Sequence, residues 1–190
     1  MERGYAKTSI EQIARQASLS VGAIYLYFRS KEDLYVSLLE DTLGVFDAEL
    51  TQVRGRTDAT QRLGAAWAVL TTWAAQDVEG TRTLRLVATP GIKAQLSDEV
   101  IQAVGAGVGR VREHLAACIT DGINAGAFRA VNAIEVADLL WSVFVGALDQ
   151  LELRANLELA VPPVAEPLTA GLALVMAALA PDARAFKAAA

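Results

Sequence analysis

The stretch TSIEQIARQASLSVGAIYLYFRSKEDL, residues 8–34, decides how this chain folds. Ser9, followed three residues later by Gln12, has the S-x-x-Q form of a capping box and predicts a helix from Ile10 onward. Ile10, Ile13, Ala14 and Ala17 then recur at spacings of three, one and three, which makes one apolar stripe. Ser18-Leu19-Ser20 breaks that pattern, and Ser20 is placed to cap a second helix with Val21 and Gly22 in its first turn. Ile24 and Phe28, four apart, form the inward face of the second helix and leave Tyr25, Leu26 and Tyr27 pointing elsewhere. Two short helices, a three-residue break and an outward-facing second helix make a helix-turn-helix, the unit that lays its second helix in the DNA major groove.

The string T-S-I-x-x-I-A-x-x-A-x-L-S-x-G-x-I-Y-x-Y-F-x-S-K-E-x-L resembles the DNA-binding signature of the TetR family of bacterial transcriptional regulators. The resemblance covers Gly4 to about Leu39, and the remainder is similar to the family in length, helicity and helix order. It implies an all-α protein in three parts: a helix-turn-helix DNA-binding domain over residues 1–40, a helical effector-binding and dimerisation domain over 41–182, and a tail over 183–190. By the same resemblance, Thr8 and Lys31 stand where family members contact backbone phosphate, and Tyr25 and Tyr27 match an aromatic pair that touches phosphate or base edges. Gly22 matches a small residue that lets the helix approach the duplex, and Ser9, Ser20, Val21, Ala23 and Leu26 complete the expected DNA-facing set. Hydroxyls favour phosphate, and Lys31 is a mobile point charge. Val21 and Ala23 occupy positions where relatives often carry polar base readers; apolar side chains there can read only thymine methyls or groove shape.

Family members usually begin with a full first helix that ends in a phrase like F-x-x-x-G-Y. Met1-Glu-Arg-Gly-Tyr opens this chain as if at the last turn of that helix, so the first helix is expected to be truncated. A misassigned start codon and a dimer that tolerates a depleted DNA-binding domain both account for it. The missing helix would cover Ile10, Ile13, Ile24 and Phe28, each worth roughly 1.5–3 kcal/mol on burial.

Composition supports an all-helical chain with ample core, since 53% of the 190 residues are apolar and no run alternates clearly. Cys118 is the single cysteine, which excludes an internal disulfide and a multi-cysteine zinc site and fits a reducing cytoplasm. The longest uncharged apolar stretch, Leu168 to Ala180, is too short to span a bilayer, and no signal peptide is legible at the start. The net charge is −5, all of it carried beyond residue 40, because residues 1–40 hold five bases and five acids. The helix-turn-helix end is therefore neutral, and modest non-specific DNA affinity is expected.

Ser30 to about Gln52 reads as one long helix capped by Ser30, with Leu34, Leu38, Val45, Phe46 and Leu50 as its buried stripe. Residues 54–58 read as a loop. Helices follow over about Ala59 to Gln76, with Leu63, Trp67, Leu70 and Trp73 in register, over Gly80 to Thr89 up to Pro90-Gly91, and from near Ser97 to about Asn124, stopped by Gly126. Within the last of these, Gly105-Ala-Gly-Val-Gly109-Arg110 only superficially resembles a dinucleotide-binding turn, because Arg110 replaces the third glycine and a helix precedes it. Close packing, a kink, or room for a ligand would account for these glycines. His114, Cys118 and Asp121 share one helix face, where hydrogen-bonded core residues are a better expectation than metal ligands.

Ala133 to about Arg154 is apolar nearly all round, through Ala137, Leu140, Trp141, Phe144, Leu148 and Leu151, so it should be buried on most sides. A proline-bearing connector, Asn156 to Pro167, leads to a last helix over Leu168 to Ala180, and the terminal Lys-Ala-Ala-Ala has the look of a cloning remnant. The resemblance makes these two C-terminal helices the interface of a homodimer, whose two-fold symmetry suits two half-sites on double-stranded operator DNA. It implies a cytoplasmic regulator, in the main a repressor, that a small apolar or aromatic effector releases from its operator. Trp67, Leu70, Trp73, Arg85, His114, Cys118, Trp141 and Phe144 are the candidate effector contacts by helix position. Neither a cofactor nor membrane association is expected. One histidine and one cysteine leave no constellation for enzymatic work. The competing expectation is a helical small-molecule-binding dimer that has lost DNA binding with its first helix.

Overall fold

The computed structural model describes residue 5 and residues 8–181. Met1–Gly4, on which the expected truncation rests, and the expected tail over 183–190 lie outside the described residues. Nine α-helices follow among the described residues: α1 (Ile10–Gln16), α2 (Val21–Tyr25), α3 (Lys31–Ser37), α4 (Leu39–Arg56), α5 (Arg62–Gln76), α6 (Val78–Val87), α7 (Asp98–Asn124), α8 (Ala133–Asn156) and α9 (Ala165–Leu179). A 3-10 turn, Ile92–Gln95, stands between α6 and α7. None of the described helices is long and apolar enough to cross a membrane.

The chain divides into two compact units, the first made of Met1–Gly44 and Asp77–Val108, the second of Val45–Gln76 and Gly109–Ala190. In the first unit, Ile10, Ala14 and Ile24 are buried together, with Ile13, Val21, Phe28 and Leu34 packed around them. Of the stripe legible in the sequence, Ile10, Ile13 and Ala14 enter the core that joins α1 to α2, whereas Ala17, at the C-cap of α1, is exposed. α3 packs on α6 and on the 3-10 turn of the same unit. In the second unit, α9 packs on α8 and on α5. Gly171 of α9 permits that closeness, because a Cβ there would lie 2.5 Å from Val143 Cγ1 of α8.

Three local expectations are corrected. The helix expected from Ser30 through Gln52 is broken at Leu38. The Ser37 hydroxyl donates to the Leu34 carbonyl, and the Leu38 amide turns back to Tyr35 O in an i→i−3 bond, which tightens the turn. The break resets the register, so Leu39, Leu43, Phe46 and Leu50 are buried whereas Leu38 and Val45 are exposed. α4 also runs on to Arg56 and takes in residues expected to lie in a loop. The last helix starts earlier than expected, with Pro167 in its first turn, where the missing N–H costs no helical bond.

The glycines in the middle of α7 differ from one another. A Cβ on Gly107 would sit 2.7 Å from Leu43 Cδ1, so close packing explains that residue, whereas Gly105 and Gly109 have nothing within 4 Å. At the end of α7, Gly126 adopts φ +73, with Ala127 N–H bonded to Gly122 O and Gly126 N–H to Ile123 O. This is the left-handed stop its sequence position implied.

Candidate nucleic-acid interface

Three serines set the geometry of residues 8–34. Ser9 accepts from Gln12 N–H at 3.3 Å while Gln12 Oε1 accepts from Ser9 N–H at 3.1 Å, a complete capping box on α1. Ser20 accepts from Ala23 N–H at 3.0 Å and Ser30 from Asp33 N–H at 2.9 Å, so α2 and α3 are each capped by a hydroxyl. Between α1 and α2 the chain reverses through Ser18, held at φ 56. Leu19 N–H bonds Ala14 O at 2.8 Å and Ser18 N–H bonds Arg15 O at 3.3 Å, the paired bonds of a Schellman turn, with serine where glycine would be unstrained.

The turn after α2 carries the largest exposed apolar surface of this region. Tyr25 is 53% exposed, and Leu26 and Tyr27 are each 82% exposed. Gly22 and Ser20 are exposed as well, Val21, Ala23, Thr8, Ser9 and Lys31 are half-buried, and Ile24 is buried beneath them. All ten expected DNA-facing residues therefore lie in the first unit, on α1, α2, the start of α3 or the segments next to them. α2 is shorter than the sequence suggested, and Phe28, expected on its inner face, packs from beyond its end.

Sequence reasoning missed Asp33, which secures this element from below. In the sequence it reads only as a favourable acid in the first turn of a helix, yet it is fully buried. Its Oδ2 accepts from Arg29 N–H at 2.8 Å, and its Oδ1 accepts from both the amide and the hydroxyl of Ser97 at 2.9 Å. Alongside, Ser30 donates to Gln95 O at 2.8 Å and the Arg29 guanidinium donates to Leu96 O at 3.3 Å. Three consecutive residues from the last of the 3-10 turn onward, Gln95 to Ser97, thus hold the start of α3 by hydrogen bonds. Partners more than sixty positions away leave no local signal.

Tyr5 is the second residue missed. Its ring stands edge-on to Tyr35 at 5.1 Å, Lys31 Nζ lies 4.0 Å from its centroid, and its hydroxyl donates to Glu32. Burial, followed by the hydrogen bond to the Glu32 carboxylate, pushes the Tyr5 phenol up to about 12. The same hydrogen bond holds Glu32 below the usual carboxylate range, against the opposing effect of burial.

The expected effector contacts separate. Arg85 belongs to the first unit and the other seven to the second. Trp67, Leu70, Cys118 and Phe144 are buried, and Trp73, Trp141 and His114 are half-buried. Phe144 is the hub of an aromatic cluster, with ring centroids 6.1 Å from Trp67, 6.3 Å from Trp73 and 5.7 Å from Trp141. Trp67 Nε1 donates to Leu168 O at 2.9 Å, which satisfies the indole inside this cluster.

His114, Cys118 and Asp121 find separate partners although they share a face. His114 Nε2 pairs with Asp47 at 2.8 Å, and Asp121 accepts from Arg62 at 2.7 Å and from Arg54 at 3.4 Å. Burial pushes the Cys118 thiol up to about 11. Among the described residues no group of three or more His, Cys, Asp and Glu stands where it could hold a metal ion.

Residues 1–38 match the family profile described as bacterial regulatory proteins, tetR family. The chain is 42% identical over 69 residues to the HTH-type transcriptional regulator HbdR of Aromatoleum sp. (strain CIB), which covers 35% of this chain and 30% of that protein. It is 35% identical over 63 residues to the fatty acid metabolism regulator protein of Bacillus subtilis (strain 168), 33% of this chain and 32% of that protein. These alignments thus span about a third of the curated relatives' length. In fold, the chain is similar to the transcriptional regulator FadR from Bacillus subtilis in complex with stearoyl-CoA, with a TM-score of 0.72 and 19% identity over 94% of this chain and 92% of that one. It is similar too to the TetR family transcriptional regulator PfmR from Thermus thermophilus, with a TM-score of 0.69 and 24% identity over 92% of this chain and 91% of that one. Residues 1–38, with their capped helix-turn-helix, thus match the tetR family, and the all-helical fold of the chain is similar to that of TetR family regulators.

Proposed function

We propose that this chain is a DNA-binding transcriptional regulator, a repressor that acts as a homodimer and leaves its operator when a small apolar ligand binds. The observation that carries the reading is the capped helix-turn-helix, whose outward turn bares Tyr25, Leu26 and Tyr27 above a buried Ile24. Thr8, Ser9, Ser20 and Lys31 would contact phosphate, and Val21, Gly22, Ala23, Tyr25, Leu26 and Tyr27 would face the groove. Dimerisation through α8 and α9 is supported by the apolar side chains they leave uncovered: Leu139 is 53% exposed and Leu174 is 75% exposed. A reducing cytoplasm suits the role and the single free thiol.

An apolar effector is favoured by the aromatic cluster around Phe144, and an acyl thioester is the first class to try, because a protein of the same fold holds stearoyl-CoA. Trp73 and Trp141, the half-buried members, are the proposed points of entry, with Trp67, Leu70, Cys118 and Phe144 behind them. His114, in the same unit as the cluster, would bear on the ligand's polar end. Release requires only that the ligand favour one arrangement of the dimer over another, with coupling of about 1–3 kcal/mol.

The test is fluorescence anisotropy with DNA from the region upstream of the gene, followed by titration of stearoyl-CoA or a free long-chain fatty acid. Saturable binding by two protomers per site, reversed by one of these ligands, is the expected result. Binding that no apolar ligand reverses would discard the effector class, and failure to bind any fragment of that region would discard the regulator.

A further inference from the structure

We infer that this protein selects its operator by the C5-methyl groups of thymine, with Leu26 as the principal reader, rather than by hydrogen bonds to base edges. The inference deepens the reading of residues 8–31 as a DNA-binding surface and rests on it. Between Gln16 and Arg29 there is no amide, guanidinium, ammonium or carboxylate side chain. The bidentate pairs that single out guanine or adenine in the major groove require such groups. Of the four hydroxyls in this stretch, that of Ser20 is engaged as the cap of α2, and those of Ser18, Tyr25 and Tyr27 offer single contacts that do not discriminate between bases in the bidentate way. The nearest guanidinium on the C-terminal side, Arg29, donates to Leu96 O instead.

What remains outward is apolar. Ala23 lies half-buried on α2 beside the bare backbone of Gly22, whose missing side chain lets the duplex come close, while Val21 packs partly on the core beneath. Leu26 stands 82% exposed just past the end of the helix, a position at which a branched aliphatic side chain gains nothing in water. The feature of a base pair that such a surface distinguishes is the thymine methyl, which adenine, guanine and cytosine lack. Each methyl covered by Leu26 or its neighbours contributes about fourfold in affinity by ordinary apolar burial.

The experiment uses the full chain and the upstream fragment that it protects from nuclease. Every thymine within the protected half-sites is replaced by deoxyuridine, which removes the methyl groups and keeps the Watson–Crick pairing. The measurement is repeated with Leu26→Ala, a substitution at an exposed side chain, after its circular dichroism melt has been matched to that of the parent. The expected result is at least a tenfold loss of affinity on deoxyuridine DNA for the parent and less than a threefold loss for Leu26→Ala. A parent that binds both DNAs equally, or a Leu26→Ala variant that keeps the full penalty, overturns the inference. Absence of binding to the thymine fragment itself would instead count against the regulator reading.

Discussion

Asp33→Ala should be among the most damaging single substitutions in the first unit, although the side chain it removes is polar. Asp33 is fully buried and accepts from Arg29 N–H, Ser97 N–H and the Ser97 hydroxyl at 2.8–2.9 Å. Alanine leaves the two backbone donors without an acceptor, while the hydroxyl is free to rotate toward other partners. A buried donor left unsatisfied costs about 1–3 kcal/mol, so the pair together sets a loss of about 2–6 kcal/mol. Water entering the vacated space would pull the result toward the lower figure. Asparagine keeps one oxygen, which serves Ser97, and turns its amide against Arg29 N–H; one donor is left unsatisfied, at about 1–3 kcal/mol. The order parent, Asn, Ala is thus a stricter test than either value alone. Urea unfolding followed by far-UV circular dichroism reads it, at fixed protomer concentration because a dimer's midpoint depends on concentration. Two variants within about 0.5 kcal/mol of the parent, the scatter of ordinary surface changes, would refute the hydrogen-bond account of this residue.

Other perturbations have opposite signs at neighbouring positions. Ser18→Gly should stabilise by about 1 kcal/mol, since φ 56 in the left-handed region strains serine and not glycine; an unchanged thermal midpoint would contradict it. Gly107→Ala should cost about 1–3 kcal/mol because the new methyl would press on Leu43. Gly109→Ala, with open space around it, should instead gain up to about 1 kcal/mol of helix propensity, and equal effects in the two variants would show the packing to be misread. Asp121 carries a pH signature: burial acts to raise its pKa, but the Arg62 hydrogen bond and the Arg54 charge outweigh that and hold the carboxyl below its ordinary value of 3.8. A depressed carboxyl contributes stability that is fully present above the unfolded value and is lost as pH falls through the folded one. The gap between parent and Asp121→Asn should therefore be full at neutral pH and close at acid pH below that value; a gap independent of pH would exclude the ionic origin.

The difference between what could and could not be read in the sequence follows the distance over which each feature acts. The caps at Ser9, Ser20 and Ser30 depend on residues three positions away, and each is present. Of the stripe set by helical period, Ile10 and Ala14 are buried and Ile13 packs against them, whereas Ala17 falls where α1 ends and is exposed. The register of α4 was lost because one hydroxyl, on Ser37, bonds backward and breaks the helix at Leu38, an event that propensity does not encode. Asp33 was legible only as a helix-start acid, since Ser97 is brought to it by tertiary folding. The aromatic positions of α5 and α8 were legible as helix faces, but that Phe144 would be the hub of three tryptophans was not. Among the glycines of α7, only the environment of each separates Gly107 from Gly105 and Gly109.

The central claim, that the outward turn after α2 meets operator DNA, is tested most directly by comparing the parent with Tyr25→Ala/Tyr27→Ala. Both side chains are mostly solvent-exposed, so the double variant should melt close to the parent. Anisotropy titrations of the two proteins against the upstream fragment, in the same moderate salt, should show saturable binding by the parent and about a hundredfold weaker binding by the variant. Equal affinities for two equally stable proteins would contradict the account, because the most exposed aromatic surface of the helix-turn-helix would then have no part in binding DNA.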